Sequence, residues 1–135
     1  MSLIRSLAVL AVVLLSCAAT AAEPITVVDG DTIYYGDEKI RIVGLDAPET
    51  YRARCDAERA LGQRATGYLR ALVQRGKMRI ERQDKPDRYK RTLARVYISG
   101  RDVAEIMVSE GLAVRYDCPR GRCPKRIDWC ERLRR

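Results

Sequence analysis

Between Pro24 and Gly44 the chain offers three short apolar runs separated by turn residues, and that spacing limits the fold more than any other feature. ITVV (25–28) leads into DGDTIYY (29–35), and Gly36-Asp37 is a turn signal before EKIRIVG (38–44), so the three runs read as a hairpin meander. Ile40 and Ile42 share one face of their strand and place Arg41 on the other. After the DAPET loop (46–50), DAERALGQRATGYLRALVQRG (56–76) reads as a helix. Its apolar positions Ala57, Ala60, Leu61, Tyr68, Leu69, Leu72 and Val73 recur at helical spacing, with Asp56 placed to cap the start and Gly76 to stop the end. KMRIERQ (77–83) and TLARVYI (92–98) form two further strands around the basic turn DKPDRYKR. Asp102 and Glu105 then make a capping-box pattern for a second helix, whose apolar side is Val103, Ile106, Met107 and Leu112. LAVRY (112–116) reads as a last short strand. Five short strands with a helix inserted after the third predict a β-rich α+β fold: an OB-type Greek-key barrel with two helices and a C-terminal tail clamped by disulfides.

The first 22 residues stand outside that barrel. They carry Arg5, an apolar run from Leu7 to Leu15, and small residues before Glu23, the three-part pattern of a secretory signal peptide. The run is too short for a membrane span. Thr20-Ala21-Ala22 suits cleavage before Glu23; the alternative is a lipoprotein box, Leu14-Leu15-Ser16-Cys17, with Cys17 as the lipid-bearing residue. The expected organisation is a signal peptide at 1–22, one domain at 23–117, and a basic cysteine-rich extension of that domain at 118–135. An exported protein, periplasmic or secreted, is the corresponding expectation.

Without the leader the formal charge is +7, since Arg5 is the only charged residue removed from a chain of +8. The basic excess gathers at 75–91 and at 115–135. Such stretches attract polyanions, nucleic acid above all, although solvated arginines also serve solubility alone. Four cysteines remain: Cys55, Cys118, Cys123 and Cys130. In an oxidising compartment they imply disulfides with three possible pairings; the short DCPRGRC loop favours Cys118–Cys123, leaving Cys55–Cys130. Zinc is the rival use of these thiols. The chain has no histidine, which excludes a Ser-His-Asp triad, a histidine acid–base pair and a histidine-ligated metal.

The chemistry must then rest on carboxylates, arginines or a bound cation. Asp29 and Asp31 flank Gly30, and Asp46 and Glu49 flank Ala47-Pro48. Each cluster alone reads as a turn or a cap. Together they offer oxygen ligands of the kind that hard cations such as calcium or magnesium take. With Arg41 and Arg91 they supply what phosphodiester hydrolysis needs: neutralisation of an anion, stabilisation of added charge, and orientation of water. Arginine suits the phosphate clamp because its planar fork meets two oxygens and stays ionised.

The run VVDGDTI, IRIVGLDAPET, DRYKRTLARVY and VSEGLA, from about Ile25 to Tyr116, resembles the staphylococcal nuclease (thermonuclease) family. The resemblance implies an OB-fold nuclease that cleaves DNA and RNA with calcium (Ca2+). By position it implies Asp31 and Asp46 as carboxylate metal ligands and Ala47 as a backbone carbonyl ligand. Arg41 and Arg91 match the phosphate-binding arginines and Glu49 the carboxylate that activates or orients water. Arg88 and Tyr89 fall where the family contacts a terminal phosphate, and Asp29 behind the ligands. The expected partner is DNA or RNA, with no stable protein partner, no membrane span and a monomeric state. Two departures stand out. Lys90 replaces a glycine common before the second arginine, and after Tyr116 a cysteine-rich tail replaces the family's long final helix. Tyr116 is the candidate for base stacking, and Trp129 is expected to cover the barrel. Two other readings compete with the nuclease: a non-catalytic OB-type binding module, and a small disulfide-stabilised envelope protein.

Overall fold

The computed structural model describes residues 23–135, so the leader and its Cys17 lie outside the described residues. β1 (Ile25–Asp29), β2 (Thr32–Tyr35) and β3 (Glu38–Ile42) form the expected antiparallel meander. Gly36 turns the chain at φ 57°, a conformation open to glycine at little cost, and its N–H donates to the Pro24 carbonyl at 2.8 Å. Ile33 pairs with Ile40 and Thr32 with Arg41, which sends the isoleucines into the core and Arg41 to the opposite side.

The sequence reading carries the third strand through Gly44 and leaves Asp46 in a loop. The structure corrects this. Gly44, at φ 92°, redirects the chain, and β4 (Gly44–Asp46) pairs antiparallel with β8 (Val114–Tyr116) as a separate ribbon. A side chain at Gly44 would be strained in backbone and pressed to 3.1 Å from the Ala104 Cβ. Asp46 therefore sits on a strand, fully buried.

β5 (Met78–Arg82) and β6 (Thr92–Ile98) are antiparallel, and β6 runs parallel to β3, giving the order β1-β2-β3-β6-β5. A meander joined through a parallel pair to a later hairpin is the arrangement expected of the OB-type fold. β7 (Arg101–Asp102) leads into α2 (Val103–Ser109), where the Asp102 carboxylate accepts from the Ala104 N–H at 2.8 Å.

α1 (Asp56–Val73) packs Leu61, Tyr68, Leu69, Leu72 and Val73 on the core as expected but differs from expectation in its first turns. Its N-cap is Cys55, whose Sγ accepts from the Glu58 N–H at 3.5 Å; Asp56 is the first helical residue. Ala57 and Ala60 are exposed, and the buried side is Glu58, Gly62, Ala65, Thr66 and Leu69. Close approach explains the difference. A Cβ at Gly62 would lie 2.5 Å from the Glu49 carbonyl oxygen, and one at Gly30 2.7 Å from the Ala47 Cβ. Small residues here bring the helix onto the loop that carries Glu49.

The tail holds one 3-10 turn (Pro119–Gly121) and a short α3 (Trp129–Arg132). Cys55–Cys130 and Cys118–Cys123 are both disulfides, so no thiolate remains for zinc among the described residues. Trp129 is buried, on a short helix that packs against α1. No helix among the described residues is long and apolar enough to cross a membrane.

Candidate active site

The two carboxylate clusters meet. A bulge in β1 at Val27–Asp29 precedes the Gly30 turn, and the Asp31 N–H donates to Asp29 Oδ1 at 3.2 Å. Asp31 Oδ1 accepts from the Thr32 hydroxyl at 3.0 Å, and Oδ2 accepts from the Ala47 N–H at 3.1 Å. The side chain of one motif thus takes the main chain of the other.

Arg41 locks both. Its Nη1 lies 3.2 Å from Asp31 Oδ2 and donates to the Ile42 carbonyl at 2.8 Å; Nη2 donates to the Leu45 carbonyl at 3.2 Å and lies 3.6 Å from Asp46 Oδ1. Only 13% of that side chain is exposed, so it is a built-in cation rather than a solvated arginine. Glu49 is set by its own backbone: its N–H donates to Glu58 Oε1 at 3.3 Å, while Glu58 Oε2 accepts from the Arg54 N–H at 2.8 Å. A buried glutamate in the first turn of α1 therefore holds both sides of the loop.

The site is rich in negative charge, and Asp31 and Asp46 are buried. Burial and the neighbouring Asp31 charge push the Asp29 carboxyl from an ordinary 3.8 up to about 6. Burial also raises Asp46, against the pull of the two guanidinia beside it. Asp46 Oδ2 is buried with no hydrogen-bond partner. An orphaned carboxylate oxygen next to Asp31 is what a hard cation would satisfy, so the donor set fits calcium or magnesium.

The raised Asp29 has a measurable consequence. Its folded pKa lies above its unfolded one, so the folded chain holds the proton more tightly, and stability is lost as pH rises from about 4 through about 6. Asp29→Asn is expected to be more stable than the parent above pH 6 without divalent cations, on the order of 2 kcal/mol. The gain should vanish below pH 4 and shrink when calcium is added. Urea melts at pH 3.5 and 7.5 read this directly.

Arg91 lies in a second cluster. Its Nε and Nη2 bind Asp87 Oδ2 at 2.8 and 2.7 Å, and Asp87 Oδ1 accepts the N–H groups of Tyr89 and Arg91, both at 2.9 Å. Burial raises the Asp87 carboxyl, but these donors outweigh it and hold it below the usual range. Lys90 has φ 61°, the left-handed conformation in which glycine would be unstrained. Tyr89 is exposed, with the Arg88 and Arg91 guanidinium carbons 4.8 and 5.4 Å from its ring centre. The structure thus brings together Asp29, Asp31, Arg41, Asp46, Ala47 and Glu49. Among the described residues it forms no hydrogen bond or ion pair between them and Arg88, Tyr89 or Arg91.

The staphylococcal nuclease homologue family model matches residues 39–132. The chain belongs to the staphylococcal nuclease family. The staphylococcal nuclease match begins inside β3, so it includes Arg41, Asp46, Glu49 and Arg91, while Asp29 and Asp31 precede it. It also runs past Tyr116, where the resemblance read from the motifs stops, to cover most of the tail.

Among relatives, the SPbeta prophage-derived endonuclease YokF of Bacillus subtilis is 38% identical over 92 residues, 64% of this chain and 31% of that protein. The thermonuclease of Staphylococcus intermedius is 33% identical over 64% of this chain and 54% of its own length. The thermonuclease of Staphylococcus hyicus is 31% identical over 80% of this chain and 67% of its own. The chain thus spans between about a third and just over half of the first two relatives.

The sequence reading of this staphylococcal nuclease domain misses Thr32, Glu58, Asp87 and Arg126. Arg126 Nε donates to Asp46 Oδ1 at 2.8 Å, and Nη1 and Nη2 donate to Glu49 Oε1 at 3.2 Å each. Nothing local distinguishes it from the other arginines of the tail. For Glu58 a signal exists: an acid at the third position of a helix directly after an acidic loop.

Proposed function

We propose that this chain is an exported, calcium-dependent nuclease that hydrolyses phosphodiester bonds of DNA or RNA with little sequence preference. The observation that carries the reading is the interlock of Asp31, the Ala47 N–H, Arg41 and Asp46, which leaves Asp46 Oδ2 buried without a partner. Such an anionic pocket beside a fixed guanidinium suits a cation and a phosphate together. Family membership and the printed names of the relatives, endonuclease and thermonuclease, support it.

Asp31 and Asp46, with the Ala47 carbonyl, would hold the cation, and Asp29 backs Asp31 through its N–H. A bound calcium supplies charge stabilisation for the phosphoryl oxygens. Glu49 takes a proton from the attacking water. The phosphorus–oxygen bond to the 5′ oxygen breaks, and that oxygen is protonated from solvent, leaving a 3′-phosphate and a 5′-hydroxyl. Arg41 neutralises the phosphate, and Arg91 joins it when substrate draws it from Asp87. Arg88 and Tyr89 form the exposed rim for a terminal phosphate. Residues 1–22 act as the export signal, 23–117 as the nuclease domain and 118–135 as its extension.

The test is cleavage of single- and double-stranded DNA and of RNA with calcium, magnesium or chelator. Cleavage with calcium that stops in chelator is expected, and Glu49→Gln should lower kcat by about 10²–10⁴. Activity unchanged in chelator would remove the metal role of Asp31 and Asp46. Salt-dependent binding without cleavage would make the chain a binding module.

A further inference from the structure

The tail brings a cation of its own into the carboxylate cluster. Arg126 Nη2 lies 2.6 Å from Asp46 Oδ1 and 3.2 Å from Glu49 Oε1, in addition to the Nε and Nη1 bonds. Burial works against the charge of Arg126, but Asp46 and Glu49 outweigh it and raise its pKa above the ordinary arginine value. Residues 122–128 have no regular secondary structure, yet both ends are held. Cys118–Cys123 and the Tyr116 hydroxyl, which donates to the Pro124 carbonyl at 2.9 Å, fix one end. The Cys55–Cys130 disulfide and buried Trp129 fix the other. Arg126 is therefore presented to Asp46 at a high effective concentration.

Arg41 and Arg126 are not equivalent. Arg41 also donates to the Asp31, Ile42 and Leu45 backbone carbonyls inside the protein and is 13% exposed, so it stays when a second cation arrives. Arg126 is 47% exposed, and its only partners among the described residues are the two carboxylates. It sits on Oδ1 of the carboxylate whose Oδ2 is open to a cation, and on the Glu49 oxygen that a water-activating carboxylate needs. A half-exposed guanidinium and a dication that share one buried carboxylate repel each other across it.

We propose that Arg126 is an internal competitor for the divalent cation, which must displace it from Asp46 and Glu49, so that the tail sets the cation concentration at which the site works. This rests on the metal reading of Asp31 and Asp46 given above.

Calcium titration by calorimetry on the purified, disulfide-intact protein tests it. Arg126→Gln is expected to bind calcium about tenfold more tightly or better, from loss of a nearby positive charge. Arg126→Lys, which keeps the charge, should stay near the parent, and melting temperatures recorded without calcium confirm that each variant folds. Unchanged affinity in folded Arg126→Gln would reduce the arginine to a structural staple, and weaker affinity would make it an aid to ligation; either overturns the proposal. Asp46→Asn separates the two levels. If it binds calcium as the parent does, the metal reading itself fails and takes this inference with it. If it abolishes binding while Arg126→Gln changes nothing, only the competitor fails.

Discussion

Replacing Arg41 by alanine is expected to lower kcat for nucleic-acid hydrolysis by about 10³ or more, by analogy with arginines that stabilise other phosphoryl transfers. Among the described residues it is the one cation that touches both carboxylate clusters. Its contacts to Asp31, Asp46, Ile42 and Leu45 define one position for the guanidinium, so in the proposed reaction the charge would meet the phosphate without reorganisation. Arg41→Lys should lose most of the same activity, because a single ammonium cannot span these carbonyls and both carboxylates. Removing the charge also leaves Asp31 and Asp46 buried with less compensation, a loss of about 3–5 kcal/mol in comparable buried pairs. Rates must therefore be read on folded protein, with kcat and KM separated. A lysine variant with parental kcat would move Arg41 from the chemistry to the scaffold.

The second large effect concerns stability. Cys55–Cys130 joins positions 75 residues apart, and the chain-entropy account assigns a closure of that length about 4 kcal/mol. Cys118–Cys123 spans 5 residues and should matter less. The double variant Cys55→Ser/Cys130→Ser is thus expected to shift the urea midpoint down strongly, and Cys118→Ser/Cys123→Ser about half as far. Trp129 is the only tryptophan and is buried beside Cys130, so its fluorescence reports release of the tail. If both double variants melt together with the parent, the long disulfide is not what holds the tail down.

What was legible in the sequence was local. Alternating isoleucines place Arg41 opposite the core, Gly36-Asp37 marks a hairpin, and Asp102 announces a helix; each works through neighbours in the chain. The cysteine pairing was readable because one short loop leaves a single remaining partner. The helix face was read correctly at Leu61, Tyr68, Leu69, Leu72 and Val73 and misread only in its first turns, for a definite reason. Apolar periodicity adds Ala57 and Ala60, but backbone approach at Gly62 and the hydrogen bonds of Glu58 bury those two positions there instead.

By itself the sequence determined the strand order, the family motifs and the absence of histidine chemistry, because these depend on residue identity and short spacing. Tertiary structure alone decided where the charges go. It places Asp46 on a buried strand and brings Arg126 across 80 positions to the same carboxylate. A carboxylate's partner is the nearest donor in space, and nearness across folded segments leaves no periodic trace in the chain.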